Sequence, residues 1–339
     1  MLAHSGDQRR RVELRDVSDS QPTARPDQTT LLAFLGVVVF GGANAVAVKL
    51  TVDDLAPFWG AGLRFVAAGA LMMLVVLVTR RSLPRGRSLS GAALYGVVGF
   101  AASYGLAYTG LQDVPAGTAM VFISLTPLFT FGLAIAHRQE RFHVQGLLGA
   151  LIAVVGIGIV FVDQLSADVP LFSLLLILLA ALAIAESGVI VKWIPKSDPF
   201  ATNGVAMLTG AALLLILSLV AGEPRDLPTQ AATWVAIGYL VVLGSVVMFS
   251  LYVFALQRWT ASAVSYVTLL MPLVTVALAA VLTGERITPP FVLGSAVILG
   301  GVYVGAFLKY RPGRSSASSL PECLPIDACA EAEAEPAAA

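Results

Sequence analysis

One stretch of this chain comes back later at a fixed spacing, and no other feature limits the possible folds as tightly. Residues 105–160 read GLAYTGLQDVPAGTAMVFISLTPLFTFGLAIAHRQERFHVQGLLGALIAVVGIGIV. Moved forward by 145 positions, they lie on residues 250–305 without a gap. Leu111, Gln112 and Ala116 meet Leu256, Gln257 and Ala261. Leu125, Pro127, Leu128 and Thr130 meet Leu270, Pro272, Leu273 and Thr275. Glu140, Arg141, Gly149 and Gly156 meet Glu285, Arg286, Gly294 and Gly301. Apolar residues coincide by chance, but a proline, an adjacent Glu-Arg pair and two glycines in one register identify an internal repeat.

The material between these landmarks is apolar. Only 12% of the 339 residues are charged and 57% are hydrophobic, with a mean hydropathy of +0.84. A soluble domain carries about 25% charged residues, so most of this chain must have lipid as its solvent. Ten apolar runs follow one another, at about 30–50, 56–79, 89–110, 115–136, 144–162, 169–191, 199–221, 231–254, 260–282 and 289–308. Each is long enough for a helix to cross a bilayer. Backbone polar groups in lipid must be satisfied within the segment, which requires helices. The runs are continuous rather than alternating with period two, which excludes a β-barrel.

The repeat unit is therefore five helices, an odd number. Its second copy must enter the membrane from the opposite face. The expected fold is an all-α membrane protein of ten transmembrane helices, made as two inverted five-helix repeats. Its parts are a polar tail at 1–29, a first repeat at 30–163, a second at 168–308 and a polar tail at 309–339. Both tails read as disordered and cytoplasmic. Lys and Arg collect on one side, in the N-terminal tail, the 80–88 loop, Arg138, Arg141, Lys192, Lys196, Arg258 and Lys309. That bias puts both termini in the cytoplasm. Trp59, Trp193 and Trp259 are expected in an aromatic belt at the membrane surfaces. Cys323 and Cys329 match no zinc or redox spacing and read as free thiols.

Particular stretches resemble a known family. FGGANAVAVKL (40–50), APFWGAGLRFVAAGALMM (56–73), YGVVGFAASYGLAYTGL (95–111), AGTAMVFISLTPLFT (116–130) and QERFHVQGLLGALIAVVGI (139–157) resemble an EamA domain. LLMPLVTVALAAVLTGERITPPFVLGSAVILGGVYV (269–304) resembles the close of a second one. The chain thus resembles the drug/metabolite transporter superfamily in its ten-helix form, over residues 30–308. Two departures stand out. Gln139 stands where the family usually has the glycine that the second copy keeps as Gly284, and the second half has no counterpart of Arg64.

The resemblance implies a secondary transporter of the cell (plasma or inner) membrane that works by alternating access. Its partners would be the bilayer and a small-molecule substrate, with a coupling proton as a further candidate. An exporter of amino-acid-like or other small polar metabolites is the leading expectation. Import of a sugar or nucleotide-linked metabolite, and a non-transporting membrane sensor or scaffold, stand as alternatives. No cofactor, nucleotide-binding domain or nucleic-acid partner is expected. An enzyme is not expected either. The sequence has no HExxH motif and no in-helix Asp pair, and His137 and His143 fall in a loop, so no residue reads as catalytic or metal-binding.

Polar side chains inside membrane helices are costly, and each invites a functional reading. Arg64 lies about 10 Å inside its helix at 1.5 Å per residue. It can meet an anionic substrate group, or pair with Asp53 or Asp54 as a clamp. Glu186 is the one acid well inside a helix; it can carry a coupling proton or bond to a neighbouring helix. Asn44, in a Gly-Gly-Ala-Asn stretch, can orient a substrate or join two helices. Tyr104 and Tyr108 share a helix face at i,i+4 and are candidates to line a cavity, as are Tyr252 and Tyr266. Pro127 and Pro272 are read as structural bends, each removing a backbone hydrogen bond. Glu140 and Arg141, with Glu285 and Arg286, are read as salt bridges or caps that fix the helix hairpins.

Overall fold

A computed structural model describes residues 27–52, 54–114, 116–162, 169–283 and 288–308. Residues 1–26 of the tail expected at 1–29, the tail expected at 309–339, Asp53, Glu285 and Arg286 lie outside these residues, and the last two positions of the first tail, Gln28 and Thr29, already belong to a helix. The described residues form ten helices and no strand. We number them α1 (Gln28–Val52), α2 (Pro57–Val78), α3 (87–111), α4 (116–136), α5 (Val144–Val160), α6 (Leu171–Trp193), α7 (Pro199–Val220), α8 (231–256), α9 (261–283) and α10 (289–307). Nine are long and apolar enough to cross a membrane, and α5 is a shorter apolar helix of 17 residues.

The helix ends follow local rules. Pro57, Pro199 and Pro289 open α2, α7 and α10, where a proline's missing N–H costs nothing. The chain leaves α7 through Gly222 at φ 67°, and the N–H of Glu223 closes back on the Ser218 carbonyl. This is a left-handed C-terminal cap, a position suited to glycine. The first repeat makes the same turn after α2 with Arg80 at φ 50° and Arg81 bonded to Val76. A side chain there costs about 1 kcal/mol.

The two repeats are interleaved rather than set side by side. The most extensive contacts join α2 to its own repeat copy α7, and α5 to its copy α10. Both pairs are antiparallel. Gly62 abuts Leu215 and Gly69 abuts Leu208, while Gly204 abuts Met73. Likewise Gly149 abuts Gly301 and Gly305, and Gly156 abuts Gly294 and Ile298. A helix that packs head-to-tail on its own copy requires a two-fold axis across the helices, so the repeats are inverted. Small residues let these backbones approach, which is how helices associate where lipid removes the hydrophobic drive between them.

Two details confirm the register. The π-helical turn Val97–Ala102 within α3 recurs as Val242–Val247 within α8, 145 positions on. The ends of α2 and α7 are held by matching but swapped chemistry. No side chain of its own caps α2; the Glu223 carboxylate accepts from the N–H groups of Phe58 and Trp59 at 3.0 and 2.8 Å. At α7, Asp198 caps Phe200 and Ala201 locally, and Arg81, the counterpart of Glu223, pairs with it at 2.8 Å.

Three expectations need correcting. Trp259 is 1% exposed, wedged between the rings of Phe34 and Phe307, and belongs to no surface belt. Glu140 forms no hairpin salt bridge with Arg141. Its carboxylate accepts from the backbone N–H and hydroxyl of Ser262 at the start of α9, a helix cap that ties one repeat to the other. The two repeat prolines are not equivalent bends. Pro272 sits inside a helical segment, whereas Pro127 sits in the first turn of Thr126–Ala136, after a break at Ser124 and Leu125. There a proline removes no helical hydrogen bond.

Candidate functional site

Where α1, α3, α8 and α9 face one another they line an open cavity of about 320 Å³. Its first wall is a stripe on α3. Tyr95, Gly99, Ser103 and Ala107 recur every four residues, with Tyr104 and Tyr108 beside them. From Tyr95 to Tyr108 that stripe spans about 20 Å. The first repeat adds Val37, Gly41, Asn44 and Val48 on α1, Arg64 on α2, and Met120 and Ile123 on α4. The second repeat supplies Ser187 on α6, Met248, Phe249 and Tyr252 on α8, and Thr268, Met271, Pro272 and Thr275 on α9. A pocket of this size and largely apolar lining suits a small organic molecule.

The cavity's polar centre is built on the π turn of α8. Such a turn interrupts the regular hydrogen-bond ladder and is frequent at functional sites. Here the Gly244 carbonyl receives two side chains from the other repeat. Asn44 Nδ2 donates to it at 3.0 Å, and Arg64 Nη2 donates to it at 3.0 Å. Arg64 Nε donates to Ser245 Oγ at 2.9 Å. The guanidinium also lies against the rings of Phe65 and Tyr104, 5.1 and 6.0 Å from their centroids. Arg64 is 4% exposed, and no described acid pairs with it. The clamp to Asp54 does not form, because Asp54 accepts from Thr229 and Gln230 instead. Those bonds, the Thr229 hydroxyl first, hold the Asp54 carboxyl below its ordinary value.

The same place in the other repeat is built differently. A Cβ on Gly244 would meet Asn44, and a Cβ on its counterpart Gly99 would meet Ser187 and Tyr95. Ser187 thus occupies the position of Asn44. The counterpart of Arg64 is Ala206, whose backbone lies directly on Gly96 of α3. One crossing holds a cation; the other is closed by two small residues.

Of the residues singled out from sequence, Asn44, Arg64, Tyr104, Tyr108 and Tyr252 come together at this cavity, and Pro272 joins them. Tyr266 lies elsewhere. It is buried, and its hydroxyl donates to the Gly146 carbonyl at 3.2 Å, joining α9 to α5. Glu186 does not line the cavity either. It points toward α4, where Oε1 lies 3.4 Å from His137 Nε2 and Oε2 is buried without a hydrogen-bond partner. Sequence reasoning passed over Tyr95, Ser187, Gly244 and Ser245. The four-residue stripe on α3 and the matching glycines, Gly99 and Gly244, are the signals that would have found them.

The EamA-like transporter family matches residues 28–162 and 171–306. The chain is 27% identical to the inner membrane transporter YedA of Escherichia coli, over 82% of this chain and 90% of the relative. It is also 27% identical to a probable amino-acid metabolite efflux pump of the same organism, covering 83% and 96% of the two chains. A protein of known crystal structure shares the fold with a TM-score of 0.70 at 18% identity, over 82% of this chain and 96% of that one.

Proposed function

The chain belongs to the EamA-like transporter family and is a membrane transporter, and on that premise we propose that it exports small metabolites by alternating access. The observation that carries this reading is the cavity walled by both inverted repeats. Two copies of one unit, related by an axis across the membrane, can exchange conformations and so expose a shared central site first to one face and then to the other. Export of amino-acid-like or other small polar metabolites is the substrate reading, supported by the relative described as an efflux pump. We assign the chain to the cell membrane with both termini cytoplasmic, on the Lys and Arg bias of its loops.

A cysteine placed at Ala107, on the cavity wall, tests alternation without any knowledge of the substrate. Cys323 and Cys329 are first replaced by serine. A membrane-impermeant maleimide is then applied to right-side-out and to inverted vesicles. Alternating access expects labelling from both sides. Labelling from a single side under all conditions overturns it.

If a proton drives the cycle, Glu186 is the residue assigned to carry it. Its carboxylate faces His137 across α4 and α6, helices of opposite repeats, where a change of charge bears on how the repeats meet. Glu186→Gln is expected to abolish stimulation of transport by a pH gradient while leaving thermal stability within about 0.5 kcal/mol. Transport with an unchanged pH response in that variant removes Glu186 from the mechanism.

A further inference from the structure

We propose that the cavity selects amphipathic monocarboxylates that carry no cationic group, holding the carboxylate on Arg64. This rests on the transporter reading above and, for the same site, narrows its substrate class to exclude zwitterionic amino acids. Three observations carry it.

The first is the way Arg64 is held. A guanidinium offers five N–H groups in a planar fork. Here Nε bonds Ser245 and Nη2 bonds Gly244, so one side edge is fixed to α8. The end of the fork keeps Nη1 and the second N–H of Nη2, which have no hydrogen-bond partner among the described residues. That end matches the two oxygens of a carboxylate, and the side edge is already immobilised, so little ordering remains to be done on binding.

The second is charge. Among the described residues lining the cavity, Arg64 is the one charged side chain and none is an acid. A buried cation without a counterion is costly to keep. A ligand carboxylate supplies the missing charge. An ammonium group would enter a site with a fixed positive charge and no carboxylate to receive it.

The third is the rest of the wall. Phe249, Tyr252, Met120 and Met271 line the remainder, which suits an aromatic or branched apolar body. Methionine side chains adapt to bodies of different shape, so selectivity is expected to sit at the charged end.

Equilibrium binding to the purified full-length chain in lipid nanodiscs tests this, by calorimetry with three probes sharing one body. They are 3-phenylpropionate, an anion; phenylalanine, a zwitterion; and phenethylamine, a cation. The anion is expected to bind at least tenfold more tightly than either of the others, and Arg64→Gln is expected to weaken it at least tenfold. Phenylalanine or phenethylamine binding as well as 3-phenylpropionate overturns the proposal. So does failure of the anion to bind at all. The comparison of probes on the unaltered chain decides the matter even if Arg64→Gln does not fold. Alternating access is read from cysteine labelling without ligand, so the two readings fail separately.

Discussion

The crossing of α2 with α8 and the crossing of α7 with α3 are built from equivalent segments, yet they do opposite things. At the second, Ala206, Gly210 and Gly96 bring two backbones into direct contact. At the first, the equivalent positions are Arg64, Ala68 and Val241. The larger residues hold the helices apart, and the Arg64 guanidinium bridges the space to the Gly244 carbonyl, which the Asn44 amide of α1 also reaches. Duplication supplies two crossings; a few side chains make one a seal and the other a binding surface. An inverted repeat therefore gives symmetric motion without giving two symmetric sites.

The largest effect is expected at the closed crossing. Gly96→Val would drive a side chain into the Ala206 backbone, which cannot move aside as a side chain can. A loss of about 3 kcal/mol is expected in thermal unfolding of the purified protein. Val241→Gly, the reciprocal change at the open crossing, is expected to cost only about 1 kcal/mol, the helical cost of glycine. Equal losses would mean that the two crossings are not differently packed.

A double-mutant cycle sharpens the description of the open crossing. Asn44→Ala alone is expected to cost about 1 kcal/mol, because the Gly244 carbonyl keeps its bond to Arg64. Arg64→Leu alone is expected to cost about 2 kcal/mol, since it strips Ser245 as well. Together they leave that buried carbonyl without either side-chain donor, and the coupling is expected to exceed about 0.5 kcal/mol. Additive losses would show that the two groups do not share their acceptor.

The smallest effect lies at the helix ends. Asp54 is half-buried between α1 and α2, and its bonds to Thr229 hold its carboxyl below the ordinary 3.8. A lowered carboxyl stabilises the fold above the unfolded value and ceases to do so as pH falls through the folded one. The unfolding temperature of the unaltered chain relative to Asp54→Asn is therefore expected to be constant from neutral pH down to about 4 and to converge below it. A difference that disappears near neutrality would point to another group.

Much of this molecule was legible from residues alone, and the reasons are physical. Pro127 with Pro272, and Gly149 with Gly294, marked the repeat, and an odd number of lipid-spanning runs forced the second copy upside down. Arg64 and Asn44 were legible because polar atoms in a membrane helix need partners. Tyr266 was misdirected by the same rule, since its partner Gly146 lies away from the cavity; Glu186 meets His137 at the end of α4, the neighbouring-helix contact that its position allowed. Trp259 was misread because aromatic residues near a helix end serve a core as readily as a belt.

The chain's sequence determined the number of helices, their pairing into two units and the inversion between them, since lipid forces backbone bonds inside each segment and short connections reverse direction at every step. Only the packed molecule decided which face of each helix looks inward. Glu186 and Ser187 are neighbours, about 100° apart around α6, yet one turns to α4 and the other to the cavity. Helices that are apolar on all sides carry no stripe to announce that choice; it is set by where small residues such as Gly96 and Ala206 let backbones meet.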